Sequence, residues 1–218
     1  MNKINKVMLS AAAALGVAVS AQAQYVNGDL LLGFSGGTSD FILDLGPYSS
    51  LTVGQTWNVG ANQGTQFGVV GSLNLGQIIF ATSSDSAEGS FNPTGLFTAT
   101  RADVATLAQG SLTVGNSVTL NPSLTYSWTY QTDRPAGTPG KSFENDFFNP
   151  NVNVGSPAYL FKNANGGSVT AADAFSYNSG SGVLTYQAVV PEPGTLSLLA
   201  VMGLAGLAVR RGLVRRAR

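Results

Sequence analysis

Ser123-Leu124-Thr125-Tyr126-Ser127-Trp128-Thr129-Tyr130-Gln131 alternates without a break. Leu124, Tyr126, Trp128 and Tyr130 share one face of an extended chain, and Ser123, Thr125, Ser127, Thr129 and Gln131 share the other. A strict period of two predicts a half-buried β-strand. The second face is wholly Ser, Thr and Gln, which suits solvent, so the aromatic face is expected to be core rather than an exposed platform for stacking on sugar rings.

Outward from this stretch the same texture continues. Between residues 25 and 189, Ser, Thr and Asn supply 50 residues and Gly another 22, so short apolar runs sit between turn-forming clusters. That pattern predicts an all-β fold, a β-sandwich or jelly-roll-like exported domain. The remaining strands are expected at Leu30–Phe34, Phe41–Leu45, Thr52–Val59, Gln66–Leu73, Gln77–Thr82, Leu96–Thr100, Ser117–Leu120, Ala158–Phe161, Ala174–Tyr177 and Val183–Val189. Asn178–Gly182 is expected to turn the last hairpin. One short helix is expected at Arg101–Gln109, capped by Thr100, with Asp103 in its first turn, an apolar stripe of Val104, Leu107 and Ala108, and Gly110 at its end. Ser50-Leu51-Thr52-Val53-Gly54 recurs as Ser111-Leu112-Thr113-Val114-Gly115, but the following residues diverge at once. Chance reuse of a cheap strand-and-glycine pattern explains it better than duplicated half-domains.

The charge arithmetic divides the chain in three. Its 218 residues include 11 basic and 11 acidic residues with no Cys or His. Residues 1–23 carry +2, residues 24–190 carry −6 and residues 191–218 carry +4. The acidic body lacks the basic face that nucleic-acid binding needs. Absence of Cys and His removes disulfides, thiol and Ser–His–Asp catalysis, and the usual zinc and haem ligands.

Residues 1–23 read as a signal peptide. Lys3 and Lys6 form the positive start, Val7–Val19 the apolar run, and Ala21-Gln22-Ala23 the signal peptidase site, giving a mature start at Gln24. Residues 24–189 are then the β-rich extracytoplasmic domain, and 190–218 form a tail of three parts. Pro191-Glu192-Pro193 is stiff and non-helical. Thr195–Val209 is an uncharged Leu/Ala/Gly-rich stretch expected to form a single transmembrane helix. Arg210, Arg211, Arg215, Arg216 and Arg218 form a basic end that stays cytoplasmic. Gly194–Val209 would make about 24 Å of helix, short of a hydrocarbon core near 30 Å, which suits a temporary anchor.

This tail resembles the PEP-CTERM sorting signal of Gram-negative bacteria. The resemblance covers about 29 residues and departs from the pattern only where Gly212-Leu213-Val214 interrupts the arginines. It implies an exosortase substrate held in the inner membrane, cut near Glu192 by a membrane protease, and delivered to the cell surface or extracellular matrix. Producers of such proteins often make extracellular polysaccharide, a candidate partner. The resemblance assigns no activity to the body.

Two further features of the body bear on function. Thr132–Pro157 contains four prolines and no good strand, and its centre places Phe143, Glu144, Asp146 and Phe147 together. Carboxylates and amides there offer oxygen ligands for Ca²⁺ or a grip on a glycan, although the ordered spacing of a dedicated calcium loop is missing. A surface flap pinned by its three Phe residues is the plainer reading. Asp40 and Asp44 lie on one face of a strand about 13 Å apart, too far for a retaining glycosidase pair, and Asp85 and Glu88 lie in a Gly/Ser-rich loop that fixes no separation. No catalytic set or cofactor is expected. The body reads as a non-catalytic structural or binding module, against the alternatives of a carboxylate-only carbohydrate-active enzyme and a simple inner-membrane-anchored periplasmic domain.

Overall fold

In a computed structural model, residues 26–61, 63–75, 77–85, 97–108, 112–132, 149–164 and 171–189 are described. The body is predominantly β, as its composition requires, but the strands form neither a sandwich nor a jelly roll. One antiparallel sheet of ten strands curls into a half-barrel. The strands are β1 (Asp29–Ser35), β2 (Asp40–Pro47), β3 (Thr56–Asn58), β4 (Gln66–Leu73), β5 (Ile78–Ser83), β6 (Ser117–Leu120), β7 (Val152–Asn153), β8 (Ala158–Ala164), β9 (Ala171–Asn178) and β10 (Val183–Ala188). Their order is β3-β10-β9-β8-β5-β4-β1-β2-β6, with β7 also on β4.

Alternation along the strands builds two cores rather than one. Leu30, Leu32 and Phe34 of β1, Phe67 and Val69 of β4, and Phe175 and Tyr177 of β9 face the inside of the curl. The curl is measurable there. In a flat sheet β1 and β9, four strands apart, would stand about 19 Å from each other. Instead the rings of Phe34 and Tyr177 meet edge-on at 4.7 Å. Leu31, Ile42, Val70, Ile79 and Ala81 point outward and are covered by two helices, α1 (Phe97–Leu107) and α2 (Trp128–Thr132). Burial on both faces explains why the central strands are near-continuous apolar runs.

Most expected strands stand where the alternation placed them, Gln66–Leu73 and Ser117–Leu120 to the residue. The hairpin turn is also as expected: the Gly182 N–H donates to the Asn178 carbonyl at 2.8 Å, while Asn178 Oδ1 accepts from Gly180 and Ser181. Four expectations fail. Of Thr52–Val59, only Thr56–Asn58 is strand. Of Leu96–Thr100, expected as strand, Phe97–Thr100 belong to α1, so Thr100 lies inside the helix instead of capping it, and no acid occupies the first turn. Val104, Leu107 and Ala108 are nonetheless buried as that stripe requires. The two-residue β7 was missed.

The fourth failure is Ser123–Gln131, which contains no strand. Its second half is α2, for identifiable reasons. The Leu124 N–H turns back to the Asn121 carbonyl at 3.0 Å and the Ser127 N–H to Leu124 at 2.9 Å. Ser127 then caps the helix, its Oγ accepting from the Tyr130 N–H at 3.2 Å. From β2, Asp40 accepts the Thr129 N–H at 2.6 Å and the Thr129 hydroxyl at 2.7 Å. A tertiary carboxylate thus satisfies a helix start that local alternation does not reveal. Trp128 is core as expected, fully buried, but Tyr126 and Tyr130 are only half-buried, while Ser127 and Gln131, expected to face solvent, are buried.

The small repeat acquires a meaning its sequence did not suggest. Thr52–Gln55 and Thr113–Asn116 form the same turn, with the glycine at φ +90° and +81° respectively. Gly54 donates to Tyr186 at 2.8 Å while Tyr186 donates to Gln55 at 2.9 Å. Gly115 donates to Asp44 at 2.8 Å while Asp44 donates to Asn116 at 3.2 Å. Each turn launches one of the two outermost strands, β3 and β6. The repeat is one turn used twice to pin opposite edges.

Where β5 parts from β4, Thr82 fills the gap. Its buried hydroxyl accepts the Val69 N–H and donates to the Pro150 carbonyl, both at 2.8 Å. Thr82→Val keeps the shape and strands both groups, so we expect a loss of about 2–4 kcal/mol from two orphaned backbone partners. Urea unfolding checks this; an unchanged midpoint would mean that water replaces the hydroxyl.

Candidate functional site

The segment joining β2 to β3 crosses the open side of the half-barrel. It starts with a 3-10 turn at Tyr48–Ser50. The Tyr48 ring packs on Phe80 at 4.8 Å, and Lys162 Nζ lies 5.8 Å from its centroid on the ring face. The Tyr48 hydroxyl donates to Asp173 Oδ2 on β9 at 2.9 Å. Tyr186 on β10 also bonds this carboxylate. Burial, followed by the bond to Asp173 and its charge, pushes both tyrosine pKa values up, so both phenols keep their protons. The cluster fastens the crossing segment to the far wall. Its carboxylate is engaged by two neutral donors, and the half-buried Tyr48 ring rests against the paired residues Phe80 and Lys162.

Asp29 and Asp44 form a second cluster. Both are 1% exposed and lie where β1 begins and β2 ends. Asp44 Oδ1 accepts the Gly46 N–H at 2.8 Å, and among the described residues its buried Oδ2 has no hydrogen-bond partner. Burial raises its pKa to about 6, against the Gly46 bond, and the neighbouring charge of Asp29 adds to the rise. Asp29 is raised by burial too, partly offset by the Val26 N–H that its Oδ2 accepts at 3.0 Å. Asp40, the helix cap, is likewise raised by burial against its bonds to Thr129 and its neighbours.

These positions decide what the carboxylates do. Asp40 and Asp44 do share β2, and each serves a separate local task there. Asp29 and Asp44 interact with each other and are both buried. Asp173 is held by tyrosines on the inner side. Among the described residues no three acids converge as a metal site. Glu88, Phe143, Glu144, Asp146 and Phe147 lie outside the described residues, as do Ala21, Ala23, Pro191, Glu192, Pro193 and the arginines from Arg210 to Arg218. The transmembrane helix expected at Thr195–Val209 lies outside them as well; among the described residues no helix is long and apolar enough to cross a membrane. Sequence reasoning missed the Tyr48–Asp173–Tyr186 cluster. Its members are 125 and 13 residues apart, and no spacing rule joins them before the sheet curls.

No curated protein and no solved structure matches the chain. One family match exists, and it falls on the segment with the three-part tail. Residues 189–216 match the PEP-CTERM protein-sorting motif, so this chain carries the signature of an exosortase substrate at its C-terminal end.

Proposed function

We propose that the protein is exported through its signal peptide, held in the inner membrane by Thr195–Val209, and cut near Glu192, after which the half-barrel works at the cell surface or in the extracellular matrix as a non-catalytic structural or binding module. The sorting motif at 189–216 carries this reading. It ties the chain to exosortase-dependent sorting, and the membrane intermediate follows from a stretch too short to hold the chain permanently. Signal peptidase and an exosortase-type protease are the processing partners, and extracellular polysaccharide is the candidate partner of the released body. The engagement of Asp40, Asp44 and Asp173 in helix capping, turn geometry and fastening supports a non-catalytic body. Strand pairing with two cores gives a durable domain without disulfides, as suits a chain with no Cys.

Intact mass and fractionation of the protein from its own host test the proposal, beside a variant with Pro191, Glu192 and Pro193 all changed to Ala. The expected native product starts at Gln24, ends near Glu192 and leaves the inner membrane, while the variant keeps Arg218 and stays there. If both keep Arg218 in the inner membrane, the tail is a plain anchor and the body a periplasmic domain.

A further inference from the structure

Among the described residues four large apolar side chains are exposed: Val26 at 55%, Val53 at 65%, Leu75 at 83% and Val114 at 56%. Strand register places all four at one end of the half-barrel. Val26 precedes β1 and accepts the Asp29 N–H at 2.9 Å. Leu75 lies in the β4–β5 connection, whose Asn74 N–H donates to Asn27 beside Val26 at 2.8 Å. Val53 and Val114 sit in the paired turns that launch β3 and β6. Asp29 pairs with Pro47, Leu73 with Ile78, and Leu43 with Ser117, so these connections share an end. Ala188, the last residue of β10, pairs with Asp173 near the start of β9, which puts the exit of the chain at that same end.

Three observations say what meets this end. First, both termini of the body lead there: Val26 follows the expected signal-peptidase cut by three residues, and Val189 precedes the apolar stretch at Thr195 by six. Six extended residues reach at most about 20 Å, so a membrane holding Thr195–Val209 keeps this end close to the lipid headgroups. Second, residues 26–28, 48–55, 74–75, 77 and 113–116, which connect or precede strands at this end, contain no charge. Asp29 and Asp44 beside them are buried, Asp173 is half-buried and held by the Tyr48 hydroxyl, and among the described residues Lys162 is the exposed charge nearby, of the sign that anionic lipid attracts. Third, the opposite end carries exposed Asp85 and, among the described residues, no large apolar side chain exposed to this degree.

Resting on the reading of the tail as a membrane segment, we propose that this end is a membrane-docking rim. While the tail holds the chain, Val26, Val53, Leu75 and Val114 dip into the boundary between lipid headgroups and acyl chains. Each side chain alone binds lipid weakly. The short tether raises the effective concentration to roughly the millimolar range or above, which makes weak contacts sufficient. Cutting the tether removes that advantage, so cleavage releases the domain as well as shortening it.

The Cys-free chain allows a direct test. Full-length single-cysteine variants Val53→Cys, Leu75→Cys and Val114→Cys, with Ser181→Cys in the β9–β10 turn as the distal reference, are labelled with a nitrobenzoxadiazole fluorophore. They are reconstituted into phosphatidylethanolamine–phosphatidylglycerol vesicles containing a shallow spin-labelled lipid. The expected result is flotation of every variant with the vesicles, and quenching at 53, 75 and 114 at least twofold stronger than at 181. Adding Val26→Asp, Val53→Asp and Val114→Asp to Leu75→Cys is expected to remove that excess, which excludes a pull from the label itself. Flotation with quenching equal to that at 181 overturns the rim and leaves the tail reading intact. A blue-shifted label without quenching overturns it in favour of a covering protein surface. Failure to float overturns the membrane tail and the rim with it.

Discussion

Gly33→Ala is expected to cost about 3–5 kcal/mol, a large share of the stability of a domain this size. Gly33 on β1 and Gly68 on β4 are direct cross-strand partners, and together they leave a flat bare patch on the outer face. The indole of Trp128 lies on it. A Cβ added at Gly33 would stand 1.8 Å from Trp128 Cδ2 and 1.9 Å from Cε3, and one at Gly68 would stand 3.1 Å from Cζ2. The ring therefore has to leave or the strand has to shift. Leaving exposes a side chain that is fully buried, and breaks the bond from Nε1 to Asn151 Oδ1 at 2.7 Å. Asn151 is itself tied to Thr132, its Nδ2 donating to the carbonyl at 3.3 Å and the hydroxyl at 3.1 Å. Loss of the ring therefore loosens α2 as a unit. Urea unfolding followed by circular dichroism measures the loss. In a Trp128→Ala background the same glycine substitution should cost less than 1 kcal/mol, because the three atoms nearest the added Cβ all belong to the ring that is removed. A Gly33→Ala protein within 1 kcal/mol of the parent would refute the packing.

The second large effect runs the other way: Asp44→Asn should stabilise the protein at neutral pH. An ordinary aspartate has a pKa of 3.8, and in this fold Asp44 is raised to about 6. Between those values the folded chain holds a proton that the unfolded chain has released, so stability falls as pH rises through the window and remains lower above it. Asparagine keeps an oxygen for the Gly46 N–H and places an amide donor where Oδ2 lacks a partner among the described residues. Allowing for screening, we expect a gain of about 1–2 kcal/mol at pH 7.5, shrinking towards zero near pH 4. Asp29 and Asp40 are raised in the same direction, so the parent keeps part of its slope and the difference between the two proteins isolates Asp44. Unfolding midpoints from pH 4 to 8 check this. A parent that gains stability between pH 4.5 and 6.5, or a variant with the parent's slope, would refute it.

Both effects depend on carboxylates and glycines that look ordinary in the chain. Gly33 reads as one of many glycines, and Asp44 as one of ten acids that keep an exported body soluble. What separates them from the rest is the approach of α2 in the first case and of β1 in the second. Phe143, Glu144, Asp146 and Phe147 were legible only as a composition, since no spacing there fixes a ligand geometry.

What the chain decided by itself follows local rules. Alternation and turn residues placed most strands, because each edge between apolar run and Gly/Asn cluster is set by neighbours in sequence. The tail was legible for a stronger reason: stiffness, apolar length and terminal charge are all properties of a linear segment. Tertiary structure decided the rest. Ser123–Gln131 became turn and helix because Asp40, more than eighty residues away, caps Thr129. One sheet curled on itself instead of two stacking, and the contact of Phe34 with Tyr177 joins strands that are not neighbours in that sheet. The repeated turn gained its purpose only when the two edges existed to be pinned. In each case the deciding free energy comes from groups far apart in the chain, whose meeting no local pattern encodes.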